Sequence, residues 1–284
     1  MKIFCTPVYK RYQGIIDSCK ESFETYLWNP KKPIFDAIEE QKPDIIFCDF
    51  KYVNKTFLLA CKEFPAKIVL FGESVPNAFD VDVVCTLPSL SKLMKKHLEN
   101  GEHKTLYIKD YANLTYINKK KKTNYECDLC YISTNDIEGY TAKIGLLSSV
   151  AKFGKTKIVG NTILPIPQYL GTIDKDDKIS FLKSAKIAID WNTENILDYA
   201  AYNIFCISNK TNMLYPTFDT KNLNKQINGF LKQKNIREAM SKKCQTLVLK
   251  SDTCYHRLAN ILKYLDIDNS CCYEKIEEFS CKQV

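Results

Sequence analysis

One run, KIAIDWNTENILDYAAYNIFCIS from Lys186 to Ser208, constrains the fold more than any other stretch. An apolar strand (Lys186 to Asp190) empties into the polar loop Trp191-Asn192-Thr193-Glu194-Asn195. A short helix carrying Asp198 follows, and a second apolar strand, Ile204 to Ser208, comes at once. Two strands joined through a helix lie parallel in one sheet, because a parallel neighbour needs a crossover where an antiparallel one needs only a tight turn. Parallel sheets are covered on both faces, so their strands are continuous apolar runs. The unit also sets an acidic side chain and a helix start just beyond the carboxyl ends of the strands. Open α/β sheets hold ligands in that crevice, and helix starts favour phosphate.

The same alternation runs through the chain. Strand Lys2 to Thr6 leads through Pro7-Val8-Tyr9-Lys10-Arg11-Tyr12 into a helix predicted over Gly14 to Leu27. A second helix, Pro33 to Gln41, has proline near its first turn and is closed by Lys42-Pro43, since the residue before proline leaves the α region. Asp44 to Cys48, Ala66 to Phe71 and Val81 to Cys85 read as buried strands, with helices at Asn54 to Glu63 and Ser89 to Glu99 and one more strand at Thr105 to Ile108. Asn118 to Asn124 (NKKKKTN) is the expected boundary. Beyond it come strand Asp128 to Ser133, helix Thr141 to Phe153, strand Lys157 to Gly160, helix Lys175 to Lys183 and the opening unit. Helices follow at Asn222 to Leu231, Ile236 to Val248 and Thr253 to Leu265, the last capped by Ser251 or Asp252. The expected organisation is an N-terminal domain over 1–118, a basic linker over 119–124, a C-terminal domain over 125–268 and a tail over 269–284. That tail is either loosely ordered or packed back on the first domain. The fold class is α/β, two Rossmann-like domains facing a cleft, a common place for ligands.

Composition narrows the function. No apolar run approaches the roughly 20 residues that span a bilayer, and the N-terminus turns basic too soon for a signal peptide. The thirteen cysteines are odd in number, follow no framework and fall mostly in apolar elements, which fits reduced thiols in the cytoplasm. Cys127-x-x-Cys130 lacks the second pair of ligands that a zinc site needs. The net charge of +8 is concentrated between Lys92 and Lys122, where nine lysines face Glu99, Glu102 and Asp110. Such a block suits phosphates or a plain solvated surface. The dinucleotide and P-loop glycine patterns are absent, as are G-x-S-x-G and HExxH, and the three histidines give little to a hydrolase triad.

What remains is a set of polar loops at strand ends in the second half: Ser133-Thr134-Asn135, Gly160-Asn161, and Asp190-Trp191-Asn192 leading to Asn195 and Asp198. Hydroxyls and backbone N–H groups there suit a diphosphate without a metal, and Asp198 suits a ribose diol. Trp191 either stacks on a base or sugar or belongs to the core. In the first half Lys10, Arg11 and Tyr12 follow the first strand and would meet an acceptor or phosphate. Asp49 and Glu73 end strands and are candidate general bases, Glu73 favoured because Gly72 lets the backbone turn beside it. Arg257, on the last helix, reaches the cleft or forms a salt bridge. Asp174-x-Asp176-Asp177 precedes a helix and reads as a cap rather than a metal motif.

The stretches CDLCYIST (127–134), YLGTIDKDDKISFLKSAKIAIDWN (169–192), NILDYAAYNIFCIS (195–208) and SDTCYHRLANIL (251–262) resemble the donor-binding domain of GT-B glycosyltransferases of the spore-maturation and group 1 types. In that family an R-x-x-E on the helix after the fourth strand holds the donor ribose. Here the spacing reads Asn195-x-x-Asp198, and Asn203 stands at the usual following glycine. The resemblance implies metal-independent transfer of a sugar from a nucleoside diphosphate sugar to a hydroxyl, with no further cofactor. Polysaccharide, lipid-linked sugar and protein are open as acceptors, and so is a hydroxymethylated base in DNA, which would have to be flipped into the cleft. Two other classes fit the same residues: a non-catalytic nucleotide- or sugar-binding protein, and a nucleic-acid-binding protein with a decayed site.

Overall fold

The computed structural model describes residues 1–72, 81–86, 105–133, 140–174, 176–191, 195–209, 211–218 and 221–281. The chain divides into two compact units, Met1–Asn113 with Asp252–Val284, and Leu114–Ser251.

The first unit is built on a parallel six-stranded sheet. Its elements are β1 (Lys2–Cys5), α1 (Gln13–Ser22), β2 (Glu24–Leu27), α2 (Ile34–Gln41), β3 (Ile45–Asp49), α3 (Lys55–Cys61), β4 (Lys67–Phe71), β5 (Val83–Thr86) and β6 (Thr105–Tyr107). The spatial order is β2-β1-β3-β4-β5-β6. Successive residues of a strand face opposite sides. Accordingly Ile3, Cys5, Ile45, Phe47, Val69, Phe71, Val83 and Cys85 join one core, and Phe4, Ile46, Cys48, Ile68, Leu70 and Val84 join the other with α2 and α3. The helix expected over Gly14 to Leu27 stops at Ser22. Glu24–Leu27 is instead an edge strand parallel to β1, with Lys2 opposite Glu24 and Cys5 opposite Leu27. Thr25 and Tyr26 are strand formers, and only Phe23 separates their strand from the helix.

The second unit holds β7 (Cys127–Ser133), α4 (Tyr140–Val150), β8 (Thr156–Gly160), α5 (Lys178–Lys183), β9 (Ala185–Asp190), α6 (Ile196–Ala201), β10 (Cys206–Ser208), α7 (Leu223–Lys232) and α8 (Lys234–Ser251). The four strands are parallel in the order β10-β9-β7-β8. Short segments cover both edges: the Leu170 N–H donates to the Ile158 carbonyl (2.8 Å), and the Phe218 N–H to that of Ser208 (2.7 Å). Helix α6 ends in a Schellman motif. Asn203 sits at φ +58°, its N–H bonds the Ala200 carbonyl, and the Ile204 N–H bonds that of Tyr199.

Two expectations about the boundary change. Residues 119–124 are no free linker: the Lys122 N–H donates to Ser184 Oγ (2.8 Å), and Lys183 Nζ donates to the Ile117 carbonyl (2.6 Å). Asp177, expected as a cap, instead receives Lys122 Nζ and the Tyr125 hydroxyl, and Lys122 first and Tyr125 second hold its carboxyl below the usual range. The last helices belong with the first unit. Helix α9 (Cys254–Tyr264) is capped by Thr253, not by Ser251 or Asp252, and α10 (Ser270–Cys281) follows it. Leu258, Ala259, Ile261 and Leu262 of α9 and Cys272 of α10 pack on the face that α1 covers. The tail therefore packs back as a helix.

Cys127 and Cys130 lie three apart on β7, so they face opposite sides of the sheet and share no site. Burial pushes the Cys127 thiol up to about 11. No helix among the described residues is long and apolar enough to cross a membrane.

Candidate functional site

Each sheet has one place where chain connections depart in opposite directions. In the second unit β7 leads outward to β8 and β9 leads outward to β10, so the crevice opens between the carboxyl ends of β7 and β9. Those ends are Ser133 and Asp190, both named from sequence.

Asp190 is 4% exposed. Burial first and then its carboxylate push the Tyr199 hydroxyl and the Cys206 thiol well above their ordinary values. The next residue, Trp191, is half-buried, with its ring 6.0 Å from that of Phe218. Above the Trp191 ring, 5.7 Å from its centre, lies Nζ of Lys143. Lys143 stands in the first turn of α4 and is only 3% exposed. This cation joins the helix after β7 to the loop after β9, across the switch point. Sequence reasoning missed it, although it is the only charged residue in the apolar helix YTAKIGLLSSV, the helix that follows the Ser133 strand end.

Asn195 occupies the N-cap position of α6 without a side-chain cap bond, its carbonyl accepting from the Tyr199 N–H at 2.9 Å. Asp198 is half-buried in the first turn, while Ile196, Tyr199, Ala200 and Ala201 face the core. The helix has six residues, so its dipole contributes less than the sequence pattern implied.

On the other side of β7 the structure changes one assignment. Ser133 Oγ donates its proton to the Thr162 carbonyl at 2.7 Å, so that hydroxyl is spent on the β8 loop and has no proton left for a phosphate. Gly160 lies at φ +138°, and a Cβ there would sit 2.1 Å from the Ser133 carbonyl oxygen. Asn161 is exposed, with its N–H bonded to the Ser133 carbonyl at 3.2 Å. Ser133 and Gly160 thus shape the crevice wall. Thr134, Asn192 and Glu73 lie outside the described residues.

In the first unit the switch point lies between β1 and β3. Asp49 ends β3 there and is 4% exposed. Its Oδ2 accepts the Tyr9 N–H (2.9 Å), its Oδ1 the Lys51 N–H (3.2 Å), and its own N–H donates to Thr6 Oγ1 (2.9 Å). Its burial is thus accounted for as a clasp on two loops. Tyr12, expected to meet an acceptor, is a core residue 2% exposed, with its ring 4.9 Å from that of Phe71. Arg11 is exposed, and nothing is described of the Lys10 side chain.

Arg257 is 6% exposed and has a structural task. Its guanidinium donates to the carbonyls of Lys109 (3.2 Å) and Asp110 (2.8 Å) and to the Asp252 carboxylate (2.6 Å). It fastens the crossing where the Ala112 N–H bonds the Asp252 carbonyl and the Cys254 N–H bonds that of Ala112. Arg257→Met is expected to cost about 3 kcal/mol in urea unfolding, because buried carbonyls lose charged donors. A change within about 0.5 kcal/mol, the scatter of neutral surface substitutions, would refute the fastening role.

Two α/β units with parallel sheets, each with its crevice at the carboxyl edge, define the GT-B fold of glycosyltransferases. A glycosyltransferase from Rickettsia africae ESF-5 is similar over 93% of this chain and 98% of its own, with a TM-score of 0.59 at 14% identity. HepE of Anabaena, solved with UDP and glucose, gives 0.56 over 94% and 99% at 10% identity. A Listeria monocytogenes protein assigned as a UDP-N-acetylglucosamine 2-epimerase gives 0.53 over 94% and 98% at 11% identity. No family model matches the sequence, and no curated protein matches it.

Proposed function

We propose that the protein is a metal-independent glycosyltransferase of the cytoplasm that takes its sugar from a nucleoside diphosphate sugar. The observation that carries this reading is the buried Lys143 ammonium at the β7–β9 switch point, beside Trp191 and near the Asp190–Asp198 segment. An ammonium at this position can give a bound diphosphate a charge-assisted hydrogen bond. Asp198 takes the ribose diol, and Trp191 borders the sugar or base. HepE, bound to UDP and glucose, gives a precedent in a similar fold for such a donor.

In the transfer step the acceptor oxygen forms its bond to the anomeric carbon as the bond to the diphosphate breaks. The diphosphate leaves with the electron pair, its charge stabilised by Lys143. A carboxylate takes the acceptor proton if the outcome is inversion. Glu73, following β4 and Gly72, is preferred over Asp49, whose two oxygens already hold backbone N–H groups. A hydroxymethylated base in DNA is one acceptor this reading admits. Glu73→Gln is expected to lower turnover at least ~100-fold, within the span of general-base effects, with donor affinity unchanged. Unchanged turnover would transfer the role elsewhere.

The decisive experiment is a thermal-shift and turnover screen of UDP-, GDP- and TDP-sugars, with and without EDTA, on wild type and Asp198→Ala. At least one nucleoside diphosphate should raise the wild-type midpoint by several degrees, about 3 kcal/mol at a hundredfold excess over Kd, and clearly less in the variant. Equal shifts would remove Asp198 from the site, and no shift with any nucleotide would end the donor reading. Loss of turnover in EDTA would overturn metal independence. The similarity to the Listeria protein favours one second reading, epimerisation of the donor sugar itself. An epimerised sugar appearing without any acceptor would decide for it.

A further inference from the structure

Three loops at the carboxyl edge of the N-terminal sheet share an unusual composition. Residues 6–12 (TPVYKRY), 27–33 (LWNPKKP) and 50–54 (FKYVN) hold five aromatic side chains, five cations and no carboxylate. Both proportions are roughly twice those of the whole chain. The loops follow β1, β2 and β3, which are adjacent in the order β2-β1-β3, so they stand side by side over the β1–β3 switch point.

The backbone that carries these rings is held in place. Asp49 receives the Tyr9 and Lys51 N–H groups, which fixes the backbone of residues 9 and 51 relative to each other. Phe50 packs on Gly72, where a Cβ would lie 3.0 Å from its own. Even so, Tyr9 is 60% and Phe50 38% exposed. Behind them Trp28 and Tyr52 form an edge-to-face pair with centroids 5.3 Å apart, and Lys51 Nζ lies 4.9 Å from the Tyr52 centroid. Arg11, Lys31 and Lys51 make no ion pair among the described residues.

Exposed rings interleaved with cations, of which Lys32 is paired with Glu40, match one ligand chemistry better than its rivals. A neutral glycan stacks on rings but gains little from the cations beside them. A ringless polyanion uses the cations and leaves the rings idle. A base-paired duplex hides the faces of its bases. Single-stranded nucleic acid uses both features, bases on rings and phosphates on cations.

We propose that this face of the N-terminal unit binds single-stranded nucleic acid, with bases against Tyr9 and Phe50 and phosphates against Arg11, Lys31 and Lys51. The acceptor role of the bound strand rests on the glycosyl-transfer reading; the binding does not.

The test is fluorescence anisotropy of the full-length protein with a labelled oligothymidylate 20-mer, with no donor present. Binding should weaken with salt at a log–log slope of about −2, the value for three phosphate contacts to a single strand. Tyr9→Ala and Phe50→Ala should each weaken it ~5- to ~150-fold, the range of base–aromatic stacking. Lys51→Glu should weaken it and flatten the slope. No binding, equal competition by polyphosphate, equal affinity for the duplex, preference for a neutral glucan, or full affinity in Tyr9→Ala would each overturn the proposal. Because no sugar nucleotide is present, these outcomes leave the donor site untouched, and a failed nucleotide screen leaves a positive result here standing.

Discussion

Lys143→Met should fold normally and bind nucleoside diphosphate ~10- to ~150-fold more weakly, the range for a lost hydrogen bond to a charged group. The two halves of this expectation have different causes. Methionine is apolar and of similar length, so it keeps the packing on Trp191. The affinity loss comes from removing the charge that faces the diphosphate. Calorimetric titration with UDP and GDP, alongside thermal melting, separates the two. A variant that melts far below wild type would make Lys143 a structural cation. Unchanged affinity in a folded variant would take it out of the site.

Gly160→Ala should be the most destabilising small substitution in the second unit, at about 3–5 kcal/mol or roughly 10 °C or more in midpoint. Two penalties act together. The backbone at φ +138° disfavours any Cβ, and the added carbon would lie 2.1 Å from the Ser133 carbonyl oxygen and 2.6 Å from its Oγ. Relief requires β7 and β8 to separate where the Asn161 N–H meets the Ser133 carbonyl and the Tyr169 hydroxyl meets the Gly160 carbonyl. Gly145→Ala, inside α4 with nothing within 4 Å of the new carbon, is the control and should stabilise by up to about 1 kcal/mol. Equal midpoints for the two variants would show that the β7–β8 edge yields easily.

How much of this was legible in the chain depended on burial. IIFC, KIVLF and VVC are runs that only a covered parallel strand explains, and the structure places each centrally in its sheet. ETYL was not legible, because a half-exposed edge strand one residue beyond a helix carries the helix's polarity. The strand ends Ser133 and Asp190 could be read from position alone. What they do could not: Ser133 gives its proton to Thr162, a partner fixed only by the folded loop. Lys143 escaped notice because a lone lysine in an apolar helix looks like a surface residue until the indole closes over it. Arg257 could be read as either a cleft residue or a salt bridge, and only the chain's return past Lys109 and Asp110 decided between them.

That return bears on synthesis. On the ribosome, residues 114–251 emerge whole, whereas the sheet made by the opening 113 residues has one face covered by α1 alone until Leu258, Ile261 and Leu262 arrive. The lobe translated second is therefore the first able to finish folding, and a nascent chain stalled before Asp252 displays a half-covered greasy face to chaperones.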